Sequence, residues 1–176
     1  GRAEIKHAFN DAFKGFVVGE YARQSTYANN PASYGLNYYL IEPGAGFGPM
    51  TAKLGYEVME GNGVQALQTP FASLHSHSGW ADKFTTTPTA GLDNLYIAAD
   101  YTSPSYNDWL NATVLKAVWL DYSANKTSLH YGNEIDVSIG QTFFKHYTLC
   151  LAYFDYRADK LMTNTQKVIV QLQVKY

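Results

Sequence analysis

The chain predicts an all-β fold, an antiparallel transmembrane β-barrel, on three observations. Apolar residues recur at every second position, short and long connections alternate, and aromatic residues gather at strand ends. The periodicity is clearest at the C-terminus. Val168, Val170, Leu172, Val174 and Tyr176 fall on one side of an extended segment; Lys167, Gln171, Gln173 and Lys175 fall on the other, with Ile169 the exception. Side chains alternate across a strand, so this segment has one apolar and one wet face. About ten such residues cross a bilayer when tilted. A half-buried strand of a soluble sandwich reads the same way in isolation, so the remaining chain has to discriminate.

Bulk composition narrows the choice. A length of 176 residues fits one domain. The net charge of -2 and pI near 6.2 leave no basic footprint, so nucleic acid is not an expected partner. Charged residues make up 16%, below the roughly 25% of soluble domains, and the aromatic share is 15% with 15 Tyr. Tyrosine suits a membrane interface, where its ring sits in an apolar layer and its hydroxyl in a wet one. No apolar run approaches the roughly 18 residues of a spanning helix. The mean hydropathy of -0.26 does not exclude a barrel, because alternating strands average to mild polarity. Cys150 is the lone cysteine, which excludes a disulfide framework and a cysteine-rich zinc site; no cofactor is expected. Opening on Gly1, the chain reads as processed or as a fragment.

Eight strands are expected in one barrel or half-barrel domain spanning 1–176: Phe13 to Arg23, Tyr34 to Ile41, Thr51 to Val58, Leu95 to Tyr101, Thr113 to Asp121, Glu134 to Gln141, Tyr147 to Asp155 and Gln166 to Tyr176. The stretch Arg2 to Phe13 is ambiguous. In the sixth strand Ile135, Val137 and Ile139 alternate with Glu134, Asp136 and Ser138. In the third, Ala52, Leu54, Tyr56 and Val58 alternate with Lys53, Gly55 and Glu57. In the fourth, Leu95, Ile97, Ala99 and Tyr101 alternate with Tyr96, Ala98 and Asp100. The second puts Tyr34, Leu36, Tyr38 and Leu40 on one face. The first and fifth are mixed, since Val17 and Val18, or Leu115 and Val118, occupy both faces.

Connections add a second signal, because membrane barrels alternate short turns with longer outer loops. Phe143 to His146 is tight, whereas Tyr122 to Asn133 and Tyr156 to Thr165 are longer and polar. Met59 to Asn94 is the longest and falls where an outer loop is required; Thr102 to Ala112 is long for a periplasmic turn. With this topology Tyr101, Tyr147 and Tyr176 form one aromatic girdle, and Tyr56, Trp119 and Tyr153 the other. A weak internal echo relates Trp119-Leu-Asp-Tyr-Ser-Ala-Asn-Lys126 to Tyr153-Phe-Asp-Tyr-Arg-Ala-Asp-Lys160. Both end rising strands.

From about Ala52 onward the chain resembles the alginate-export-like porins of Gram-negative outer membranes. The residues that carry the resemblance are Lys53-Leu-Gly-Tyr-Glu-Val58, Ala66-Leu-Gln-Thr-Pro-Phe-Ala-Ser-Leu-His75 and Gly79-Trp-Ala-Asp-Lys-Phe84. They continue with Thr87-Pro, Gly91-Leu-Asp-Asn-Leu-Tyr96, Asp121-Tyr-Ser-Ala, Tyr131-Gly-Asn-Glu-Ile-Asp136 and Lys145-His-Tyr. Residues 1–51 match only in style. Such proteins are single-chain barrels about twice this length, so the resemblance implies the C-terminal half of one, or a shortened relative. It also implies a bacterial outer-membrane location and transport of hydrophilic solutes, anionic saccharides among them.

Apolar faces turned to lipid leave the opposite faces as lining: Lys53, Glu57, Asp100, Lys116, Glu134, Asp136 and Lys167. A Lys or Arg facing hydrocarbon at mid-depth costs about 2–4 kcal/mol, which places these charges inside a barrel. They either set a selective field or form a salt-bridge network that ties strands together. Four acids against three bases do not predict strong anion selectivity. The long loop, about 59–94, carries Phe71, Leu74, Trp80 and Phe84, too apolar for simple disorder. It is expected to fold inward or pack over the mouth as a constriction or lid built on Phe71, His75, Trp80, Asp82, Lys83 and Phe84. The His75-Ser-His77 pair with Asp82 is a thin basis for a metal site, and none is expected. Ser73, Ser76, Ser78, His75 and Asp82 cluster only in sequence, and neither a Gly-x-Ser-x-Gly elbow nor a glycine-rich phosphate loop is present; no enzyme is expected. Asn111-Ala-Thr113 and Asn125-Lys-Thr127 match a sequon that matters only in a eukaryotic secretory pathway.

Three functional readings follow: a passive channel for polar small molecules or oligosaccharides in contact with membrane lipid, a small closed eight-strand barrel with a structural or adhesive role, and a soluble ligand-binding β-barrel. They differ in conductance and in dependence on detergent.

Overall fold

The structure is a computed structural model that describes residues 1–69 and 79–175; Phe71, Leu74, His75, His77 and Tyr176 lie outside the described residues. Among the described residues, nine strands form one antiparallel sheet in chain order: β1 Arg2–Ala8, β2 Phe13–Ser25, β3 Gly35–Phe47, β4 Met50–Met59, β5 Leu92–Thr102, β6 Leu110–Ser123, β7 His130–Phe143, β8 Tyr147–Ala158 and β9 Thr165–Val174. The sheet is open, with β1 and β9 at its edges.

Two expectations are corrected here. The strand count is nine rather than eight, because the ambiguous Arg2 to Phe13 stretch supplies β1, which pairs Ile5 with Val17 and Arg2 with Glu20. The second expected strand does not stop at Ile41. It continues as β3 to Phe47, through Pro43, whose missing N–H leaves a gap in the ladder to β4 between Ile41 and Gly44.

Connections 9–12, 48–49, 103–109 and 144–146 share one end of the sheet; connections 26–34, 60–91, 124–129 and 159–164 share the other. Three tight bends use one device. The side-chain oxygens of Asn10, Asn62 and Asn107 each accept two backbone N–H groups two and three residues on, at 2.7–3.1 Å.

The two faces of the sheet differ sharply. On the face called outer here, Leu54, Tyr56, Ile97, Leu115, Trp119, Ile135, Val137, Ile139, Leu149, Leu151, Val168, Val170 and Leu172 are exposed. On the inner face Glu134 and Asp136 are 0% exposed. Accessible surface totals 10899 Å², well above the roughly 8,600 Å² expected of a compact monomer of this mass.

β3 presents its apolar residues to both faces. Leu36, Tyr38 and Leu40 lie on the inner face in phase with Glu42, and Tyr39, Ile41 and Phe47 are the exposed large apolar residues. The inner face is therefore not purely polar. Toward the end carrying connection 60–91 it holds Leu36, Leu92, Leu120, Tyr122, Phe154 and Tyr156, which pack with Phe84 and Leu67 into the core.

Candidate functional site

Register carries the expected lining charges to one face. Lys53 pairs with Ala98, Ala98 with Val118, Val118 with Asp136, Asp136 with Phe154 and Phe154 with Lys167. Directly paired residues in a sheet point to the same side, so Lys53, Asp136 and Lys167 share the inner face. Glu57 and Glu134 lie on that face by alternation along β4 and β7, and Asp100 pairs with Lys116 there.

The described residues of connection 60–91 meet this face at two places. Near β2 the Gln68 N–H donates to the Gln24 side-chain oxygen at 2.9 Å. The far side is held more firmly. The Trp80 and Ala81 N–H groups donate to Asp136 at 3.0 Å and Glu134 at 2.7 Å. The Lys167 ammonium donates to the Ala81 carbonyl at 2.6 Å and pairs with Asp82 at 3.1 Å. Asp82 adopts a left-handed φ of 59°, a bend that a short polar residue tolerates.

Local sequence explains why the segment sits so close. Gly79 has φ +89°, and a Cβ there would overlap the Tyr122 hydroxyl and the Glu134 carboxylate. Phe84 is 6% exposed and lies 4.5 Å from Tyr122, 5.8 Å from Tyr131 and 6.0 Å from Tyr156, centroid to centroid. The Lys83 ammonium stands 5.5 Å from the Tyr156 ring centre, and Trp80 meets Phe154 edge-on at 5.5 Å. The internal echo acquires a reason here. Trp119 and Tyr153 are exposed on the outer face, while Tyr122 and Tyr156 are both 0% exposed against Phe84. Two equivalent strand ends thus supply two walls of one aromatic socket.

Beside these contacts lies a cavity of about 580 Å³, whose described lining extends from β1 to β7. Lys53 pairs with Glu42 at 2.8 Å, and Tyr96 donates to the same carboxylate. The Tyr96 ring lies over Gly55, where any side chain would collide with it. The Tyr38 hydroxyl donates to Glu57 at 2.8 Å. At the mouth Arg2 pairs with Glu20 at 2.9 Å.

The structure thus brings Trp80, Asp82, Lys83 and Phe84 together with Glu134, Asp136 and Lys167. Asp100 and Lys116 stand apart, nearer the short-turn end. Tyr56, Trp119, Tyr153 and Tyr147 are exposed on the outer face and Tyr101 is half-buried. Tyr21 and Tyr39, with rings 5.6 Å apart, extend the first level across β2 and β3. Phe13, Phe47, Met50 and Tyr101 are successive cross-strand partners at the other. Sequence reasoning missed Glu42, Asn94, Tyr38 and the Tyr122–Tyr131–Tyr156 socket. The Glu42 signal was available as continued phase with Tyr38 and Leu40. Among the described residues, no group of three or more His, Cys, Asp or Glu is placed to hold a metal. Comparison with protein-family models, curated proteins and solved structures finds no match for this chain.

Proposed function

We propose that the chain forms wall and constriction of an outer-membrane β-barrel channel that passes polar solutes passively. The observation that carries this reading is the partition between faces. Val137, Ile139 and Leu172 are 39%, 45% and 65% exposed, while Glu134 and Asp136, which alternate with Ile135 and Val137 along β7, are fully enclosed. A soluble sheet reverses that arrangement, because uncovered side chains of this size forfeit about 1.5–3 kcal/mol each in water. Acyl chains are the surroundings in which an apolar outer face and enclosed charges are both favourable. Strands of 10 to 14 residues from β2 to β9 have the length to cross a bilayer. Two levels of exposed aromatics bound the apolar band, as interfacial anchoring requires.

Within this reading the segment Gly79–Phe84 narrows the passage, and the cavity beside it is the solute path. Reconstitution tests both parts. The purified chain should require detergent or lipid to remain dispersed and, in planar bilayers, should give discrete conductance steps. Stable dispersion without detergent would refute the membrane reading. Folding into vesicles without conductance would favour a plugged barrel with a structural role, a reading supported by the contacts of Gln68 with Gln24 and of Ala81 with Lys167.

A further inference from the structure

We propose that the tip formed by Trp109 and the turn Phe144–His146 docks the head groups of anionic phospholipids. The proposal rests on the membrane reading and adds to it a place, a lipid class and the residues that recognise it. The turn is built against local preference. Phe144 and Lys145 have φ of 50° and 63°, and across them the His146 N–H donates to the Phe143 carbonyl at 3.1 Å. Positive φ at both central residues of a hairpin turn favours Asn-Gly, and a bulky residue there is an outlier. Bend 48–49, at the same end of the sheet, uses Gly48 with φ +55°. Two further hydrogen bonds hold the strained turn. The Phe144 N–H donates to the Trp109 carbonyl at 2.9 Å, and the Lys145 N–H donates to the side chain of buried Asn111. An unfavourable backbone fixed from several sides is a mark of function.

What the tip presents is apolar and cationic together. Trp109 and Phe144 are 52% and 57% exposed, and Lys145, His146 and Lys175 are exposed as well. Lys175 is held at the turn by its N–H, which donates to the His146 carbonyl at 2.8 Å. Lys145 and Lys175 make no ion pair among the described residues, and Asp108 is the one acid on connections 103–109 and 144–146. Height selects lipid over a soluble partner. Tyr147, Leu149 and Leu151 are exposed along the outer face of β8, so the turn ends an unbroken apolar stripe. Lys145 stands two residues beyond Tyr147, roughly 7 Å at about 3.3 Å per residue, and a head-group layer is roughly 5–7 Å deep. Rings at the acyl boundary and ammonium groups among the phosphates suit an anionic lipid surface.

The test places the full chain, with isotope-labelled tryptophan, in phosphatidylcholine nanodiscs into which phosphatidylglycerol is titrated. Trp119, exposed on the outer face, reports the membrane reading through broadening by acyl-chain spin labels, and Trp109 reports the tip. The Trp109 indole signal should shift saturably with phosphatidylglycerol and broaden with a head-group spin label. Lys145→Gln and Lys175→Gln should each raise the phosphatidylglycerol content at half-saturation about fivefold. Phe144→Asn combined with Lys145→Gly, a pair that suits the turn, should abolish the response without hastening unfolding in detergent. Broadening at Trp119 with no phosphatidylglycerol response at Trp109 would overturn the proposal and leave the membrane reading standing; absence of both would remove the two together. An undiminished response in all the variants would also overturn it. Access of a water-soluble relaxation agent to Trp109, without lipid contact, would overturn it in favour of a protein partner.

Discussion

Phe84→Ala tests whether the segment Gly79–Phe84 is held by its aromatic socket. Phe84 is 6% exposed and touches three tyrosine rings whose positions are fixed by strands β6, β7 and β8. Truncating a buried Phe costs about 3–5 kcal/mol when the surroundings cannot collapse. Here Tyr122 and Tyr156 cannot close the gap, since they are tied by hydroxyl contacts to Glu134 and to the Tyr131 and Leu161 carbonyls. Taking the low end of that range, the undocked population rises about a hundredfold, at 1.4 kcal/mol per tenfold. The sheet itself keeps its ladders, so the effect is local. The reporters are the Trp80 and Ala81 amides, which donate to Asp136 and Glu134 and exchange with solvent only when the segment lifts. Hydrogen–deuterium exchange of the peptide covering 79–84 should accelerate about a hundredfold, with β7 and β8 amides unchanged. A rise below tenfold would refute the claim that the socket holds the segment.

Other expectations follow from the same geometry. Val137→Lys, on the outer face, should cost about 2–4 kcal/mol in urea unfolding from vesicles, and Val174→Lys at the end of β9 only about 0–1 kcal/mol; equal small costs at both sites would mean water rather than lipid outside. Gly79→Ala should release the segment, read by the same amide exchange, because neither its φ of +89° nor the space beside Tyr122 and Glu134 admits a methyl group. His130 lies beyond the outer aromatic level, 2.9 Å from Asp121 and 3.3 Å from Asp159. Hydrogen bonding to Asp121, against some desolvation and with help from Asp159, raises its pKa. The protonated folded form is favoured, so the stabilisation is complete below the unfolded value of about 6.5 and is lost as pH rises through the higher folded value. Unfolding midpoints should fall over that interval and His130→Gln should flatten the profile; an unchanged profile in the variant would assign the pH response elsewhere.

The outer face was legible from the sequence because its side chains answer to one environment. Ile135, Val137 and Ile139 show an unmixed period of two, and the structure leaves all three exposed. The inner face was harder to read because it serves two environments. Near the short turns it carries Asp100 and Lys116, while under connection 60–91 it must be apolar to receive Phe84 and Leu67. Leu36, Tyr38 and Leu40 therefore mimic an outer stripe. Glu42-Pro43-Gly44 reads as a turn, which hid the end of β3 and with it the partner of Lys53. β1 escaped because it is a short edge strand with every residue exposed, and Ala3, Ile5 and Ala8 are too few to make a pattern. The position of Trp80 and Phe84 against the sheet depends on contacts more than fifty residues apart, which no local period reports.

Nine is an odd number, and parity has a consequence for how the two free rims meet. Antiparallel neighbours reverse direction at each step, so β1 and β9 run the same way. Joined to each other, they would make a parallel seam in an otherwise antiparallel ring, with slanted and slightly weaker hydrogen bonds. A ring with no such seam needs an odd number of additional strands bridging Arg2–Ala8 to Thr165–Val174. Two copies set side by side in the same orientation would double the seam rather than remove it.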